Sequence, residues 1–212
     1  MKNILLIVAL LVAPMLFFGI SVEKSAAIAP ITNSVSEAEY EWSANKEAFS
    51  SLYLEQTEDC ESGGIFRSRT KNIHLSGPTA LMVASELSTG SQMENVEGMF
   101  DYISNMPYVR YSEWRETEDI LKSMDGDCAD KSVALVSLLK GAGFESYVVY
   151  GNEIDDYSHA WVSVNIDGYW LQLDPTTNDM FSIYRCIEEG CDFSTHYEIA
   201  GFFDNSESYD CS

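Results

Sequence analysis

The spacing of apolar positions changes along this chain, and each change predicts a different element. From Ile4 to Ile20 the run is nearly unbroken, interrupted by Pro14 and Gly19 and preceded by Lys2. No polar face divides it, so a core helix is a poor reading of these residues. Further on, Tyr40, Ala44, Ala48 and Leu52 recur at i, i+4 spacing with Phe49 alongside, which predicts a helix over Ala38–Leu54. Ser76-Gly77-Pro78 opens a second helix that closes near Gly90. Ser91-Gln92-Met93-Glu94 reads as a capping box, with Val96, Met99, Phe100 and Ile103 as the core stripe of the helix behind it. Tyr108–Tyr111 is a short extended run, and Thr117–Leu121 a short helix ending before Asp125-Gly126-Asp127.

From Cys128 the pattern Val133, Leu135, Val136, Leu138 and Leu139 predicts a helix buried almost all round, stopped by Gly141 and Gly143. Asp127 is its N-cap, so Cys128 takes the first helical position. Phe144–Tyr150 reads as a strand, Asn152–Ser158 as an acidic loop, and His159–Ile166 and Tyr169–Asp174 as strands joined by Asp167-Gly168. Asp-Gly between alternating runs is a strong hairpin signal. A two-residue loop there sets Trp161 opposite Asp174 and His159 opposite Thr176. His159 and Asp174 become diagonal neighbours on one face. Ala160, Val162, Val164, Ile166, Leu173, Leu171 and Tyr169 form the core layer of the other. A one-residue slip buries His159 and exposes that layer, so the register is well specified.

Charge and cysteine content then narrow the partners. Lys plus Arg number 12 against 34 Asp plus Glu, a net charge of −22. That field repels nucleic acid and anionic headgroups. Ser25-Ala26-Ala27 and Ala27-Ile28-Ala29 are patterns a signal peptidase reads, although Pro30 disfavours cleavage at the second. Residues 1–29 are thus a signal peptide or an N-terminal membrane anchor through residues 4–20, and both place the remainder outside the membrane. Residues 30–75 form an acidic accessory helical segment, 76–180 the central domain, and 181–212 a cysteine-containing C-terminal segment packed on it.

Of Cys60, Cys128, Cys186, Cys191 and Cys211, an odd member remains if the others pair. Four cysteines allow three pairings. Cys186–Cys191 across a short turn with Cys60–Cys211 is the preferred one, and it leaves Cys128 as the free thiol. Cys186, Cys191 and His196 with Glu188 and Asp192 can be argued as a metal cluster, but the spacing matches no zinc pattern and export favours a disulfide. Neither a metal nor a cofactor is expected.

A sulfur at a helix N-terminus meets free backbone N–H groups and the positive end of the macrodipole, and the same N–H groups can hold an oxyanion. A neighbouring imidazole takes its proton, and a carboxylate orients the imidazole. Cys128, His159 and Asp174 supply these three types. Asp127 and Asp130 oppose them by adding negative charge beside the sulfur.

Three blocks carry a family resemblance: Gly126-Asp127-Cys128-Ala129-Asp130-Lys131-Ser132, His159-Ala160-Trp161-Val162, and Trp170 with Leu173-Asp174-Pro175-Thr176. Together they resemble the transglutaminase-like superfamily, in an exported prokaryotic form. Ala129 stands where many members have an acidic residue. The resemblance implies an α+β, papain-like core: a cysteine-bearing helix packed on an antiparallel sheet that carries the histidine and the aspartate. It also implies amide chemistry through an acyl-enzyme, with Cys128, His159 and Asp174 as nucleophile, base and orienting acid. No upstream block fixes a second oxyanion donor; Trp114 and Tyr111 are candidates. The expected partner is a protein or peptide substrate, with water (hydrolysis) preferred over an amine (transamidation) as acceptor. A non-catalytic envelope module that keeps the fold for binding is the alternative.

Overall fold

The computed structural model describes residues 36–62, 73–153, 157–191 and 197–211. The apolar N-terminal run, Asp192 and His196 lie outside the described residues. Among the described residues no helix is long and apolar enough to cross a membrane.

Helix α1 spans Glu37–Thr57, capped by Ser36, whose side chain accepts from the Glu39 N–H. Its buried stripe is Ala38, Trp42, Phe49 and Tyr53; of the expected positions Phe49 is buried and Leu52 packs partly against the core, whereas Ala44 and Ala48 face solvent and Tyr40 is 71% exposed. Aromatic area decides the difference. Trp42 and Phe49 bury far more surface than two alanines, so the helix turns them inward. Strand β1 (Glu61–Ser62) follows, then α2 (Pro78–Leu87) and α3 (Gln92–Ser104). The capping box at Ser91 and Glu94 is present, and Val96, Met99, Phe100 and Ile103 are fully buried. Helix α4 (Thr117–Ser123) ends at Met124 in the left-handed region.

Helix α5, Cys128–Gly141, is central to the core. Its six residues Val133–Val136, Leu138 and Leu139 are all fully buried, with α2, α3 and α4 on one side and strands β2 (Ser146–Glu153) and β3 (Tyr157–Ile166) on the other. Strand β4 (Tyr169–Leu173) pairs with β3 in the expected register, Ile166 opposite Tyr169 through Val162 opposite Leu173. Asp167 and Gly168 both have positive φ (53° and 88°), as a type I′ turn requires. Helix α6 (Ser182–Glu188), β5 (Glu198–Phe203) and β6 (Ser208–Asp210) complete the described elements. The sheet is antiparallel in the order β1-β6-β5-β2-β3-β4.

The sheet's second face departs from expectation. Trp161, Val149, Ile199, Phe202 and Ile183 form a separate buried cluster with Tyr53 of α1. Both faces of β3 are therefore covered, and register rests on two packed layers instead of one. Cys60–Cys211 and Cys186–Cys191 are disulfides, and Cys128 is free. The Cys186–Cys191 bridge rules out the metal reading for those two sulfurs.

Candidate active site

The first turn of α5 is set by its cap. Asp127 accepts the Ala129 and Asp130 N–H groups on Oδ1 and the Tyr111 N–H on Oδ2. That carboxylate is held in hydrogen bonds, and Cys128 occupies the first helical position behind it. The close approach of the preceding loop depends on Gly126, where a Cβ would lie 2.6 Å from Asp130 Cβ.

His159 is the third residue of β3, paired with Gly151 of β2. A bulge falls between Tyr150 and Gly151, and a Cβ at Gly151 would collide with the Glu198 carbonyl of β5. The imidazole Nε2–H donates to Asp174 Oδ2 at 2.9 Å, with the two side chains 9% and 3% exposed. Asp174 lies just past the end of β4, so the diagonal placement follows from the hairpin register. Its other oxygen accepts from the Thr176 N–H (2.9 Å) and Thr176 Oγ1–H (2.6 Å). The Cys128 side chain lies close enough to the same imidazole to help raise its pKa. With Nε2 given to Asp174, Nδ1 is the nitrogen left for the sulfur.

Electrostatics follow from this packing. Burial alone lowers the His159 pKa, but the bond to Asp174 and the contact with Cys128 outweigh it and push it up to about 10. Burial likewise raises the Asp174 carboxyl, and His159 with Thr176 more than reverses this and holds it low. At neutral pH the pair is imidazolium and carboxylate. Trp161 stacks beside the ring (centroids 6.0 Å, 24°), and Tyr197 approaches from another side at 6.2 Å. Trp161 is buried and donates Nε1–H to Gln172 Oε1, so its ring packs within the sheet's second layer.

The structure thus brings Cys128, His159 and Asp174 together. The oxyanion-donor candidates are placed otherwise. The Tyr111 hydroxyl donates to Asp125 and its ring lies under the Arg115 guanidinium, while the Trp114 ring packs edge-on against Phe203. Sequence reasoning assigned no functional role to Arg115, Thr176, Lys131 or Tyr108. Arg115 bonds Asp130 through Nε at 2.9 Å. Lys131, 2% exposed, donates to the Ser104 carbonyl at 3.0 Å. Burial lowers its pKa, and the Asp174 charge acts in the opposite sense. Tyr108 is half exposed, and its hydroxyl pKa is raised by burial and by the nearby Cys128. Of these, Thr176 alone had a local signal, an Asp-x-Thr turn.

Residues 82–175 match the family model described as the transglutaminase-like superfamily. The chain is similar to calcium-bound LapG of Legionella pneumophila, at 14% identity, covering 78% of this chain and 87% of that one with a TM-score of 0.50. It also resembles the periplasmic domain of TgpA from Pseudomonas aeruginosa bound to ethylmercury, 24% identical over 47% of this chain and 44% of that one, TM-score 0.40. Among curated proteins it is similar to the centrosomal protein of 76 kDa of Danio rerio, 37% identical over 54 residues. That stretch is 26% of this chain and 8% of the centrosomal protein.

Proposed function

Because the chain is a member of the transglutaminase-like superfamily through residues 82–175, we propose that it is an extracytoplasmic cysteine enzyme acting on amide or peptide bonds. The observation that carries this reading is the convergence on one imidazole of the unpaired thiol, Cys128, and a buried carboxylate, Asp174. In this reading the sulfur attacks the carbonyl carbon and an S–C bond forms. His159 gives its proton to the leaving nitrogen as the C–N bond breaks, which leaves a thioester on Cys128. Water then loses a proton to His159 and attacks the thioester. The S–C bond breaks, releasing acid and the starting enzyme. The backbone N–H groups at the start of α5 supply the nearest built-in stabilisation for the oxyanion.

Two disulfides among five cysteines support an oxidising compartment, in keeping with the export reading of residues 1–29. Whether those residues are cleaved or retained as an anchor is decided by the mass of the mature protein.

Cys128→Ala, assayed on a mixed polypeptide library with folding checked by near-UV circular dichroism, tests the proposal. The expected result is loss of peptide-bond cleavage with the fold retained. Cleavage that survives the substitution overturns the mechanism, and a host phenotype that survives it favours a binding module. Adding a labelled primary amine to the same assay reads out transamidation against hydrolysis.

A further inference from the structure

Two carboxylates flank Cys128 in sequence, and the structure treats them differently. Asp127 is consumed as the helix cap, whereas Asp130 is fully buried within the first turn of α5. Burial and the Asp127 charge raise the Asp130 pKa, and Arg115 counters them. An isolated buried carboxylate is costly, so its partner matters.

That partner is extensively held. Arg115 meets Asp130 Oδ2 through Nε and Nη2, both at 2.9 Å, and its own backbone N–H donates to Oδ1 at 3.3 Å. Nη1 donates to Ser123 Oγ at 3.1 Å and to Asp125 Oδ1 at 3.3 Å. The guanidinium also lies 3.6 Å from the centroid of the Tyr111 ring, and the Tyr111 N–H closes the circuit onto Asp127. This fork-to-carboxylate geometry is one that lysine cannot reproduce.

We infer that Arg115 is a positioning residue for the thiol: it cancels the Asp130 charge inside the cysteine helix and pins the 111–127 segment against the helix start. The inference rests on the reading of Cys128 as nucleophile. The charged groups around the start of α5 are then the Asp127 carboxylate tied up in capping, Asp130 and Asp125 sharing Arg115, and the His159 imidazolium paired with Asp174. Arg115 leaves the sulfur under the influence of the histidine and the helix N-terminus instead of a buried anion.

The test is the second-order rate of iodoacetamide alkylation of Cys128 in the native, non-reduced protein, read by mass spectrometry. Arg115→Met is expected to slow alkylation by about fivefold or more at neutral pH, as an anion left unpaired two residues along the same helical turn implies. Asp130→Asn, which leaves Arg115 in place without its anion, is expected to speed it by about threefold. Opposite signs are the signature, because a merely structural role slows both. Asp130→Asn carries the test alone if Arg115→Met does not fold. A rate within twofold of wild type or slower in Asp130→Asn overturns the inference. Wild-type protein that is not labelled at Cys128 overturns the reading of the nucleophile instead, so the two failures are distinguishable.

Discussion

Asp174→Asn isolates the ion pair at the heart of the site. The asparagine keeps the shape of the carboxylate, and its carbonyl oxygen still accepts from Thr176, whose N–H and hydroxyl bond Asp174 Oδ1. What is lost is the charge opposite His159 Nε2. A shift of the His159 pKa from 6.5 to about 10 corresponds to about 5 kcal/mol in favour of the imidazolium, at roughly 1.4 kcal/mol per pH unit. Cys128 shares in that shift, so the part owed to Asp174 is about 2–4 kcal/mol, near the usual cost of breaking a buried pair. The sign fixes the pH window. His159 has a raised folded pKa, so its contribution is complete below 6.5 and is lost as pH rises through about 10. Asp174 has a lowered pKa, so on the acid side the contribution is present above 3.8 and lost as pH falls through the depressed value. Urea unfolding of both proteins from pH 5 to 10 should therefore give a gap of about 2–4 kcal/mol near pH 6 that closes toward pH 10. Turnover should fall on the order of 10²- to 10⁴-fold, since the imidazole loses its orienting acceptor. A stability gap that is flat across this range, or smaller than about 0.5 kcal/mol at pH 6, refutes the ion-pair argument.

Gly126→Ala drives a Cβ to 2.6 Å from Asp130 Cβ. It should cost about 1–3 kcal/mol in denaturant unfolding and slow Cys128 alkylation, because the loop must move off the helix start. Cys60→Ser with Cys211→Ser opens a bridge spanning 151 residues. The chain-entropy model puts that at up to about 5 kcal/mol, read as a lowered Tm that reductant no longer changes at this bridge. Lys131→Met replaces a buried ammonium held by one carbonyl. It should be neutral or stabilising by about 1 kcal/mol at neutral pH. The lowered pKa of Lys131 means the ammonium's burial cost fades as pH rises toward 10.5, so the variant's advantage should shrink in alkaline urea titrations.

The elements around the site were legible because each is specified locally. Ser91 with Glu94, Asp127 as a cap, and Asp167-Gly168 with positive φ are rules of three or four residues, and all three are present. The hairpin register then carried His159 to Asp174 by arithmetic. Helix α1 was less legible, because its buried face is set by what covers β4. Phe49 stacks on Tyr184 at 3.7 Å, and Ser50 Oγ accepts from the Trp170 N–H. Those contacts bridge more than a hundred residues, and no periodicity within the helix encodes them. Arg115 was hidden for the same reason. It reads as an ordinary surface cation in sequence, and only the fold brings its guanidinium to the buried carboxylate of Asp130.

The placement of the three residues explains how a site of such short elements holds its geometry. Cys128 begins a helix enclosed on every side, and His159 ends the covered part of a strand packed on both faces. Neither backbone can shift without disturbing fully buried side chains such as Val133 below and Trp161 beside it. Asp174 lies beyond the ladder, where a strand end would fray, and Thr176 returns two hydrogen bonds to fix it. Thr177 reinforces the turn, its Oγ1–H within reach of the Asp174 and Asp179 carbonyls. The nucleophile and the base are thus positioned by core packing, and the acid by a turn. Destabilising the turn should therefore misplace Asp174 before it loosens Cys128 or His159.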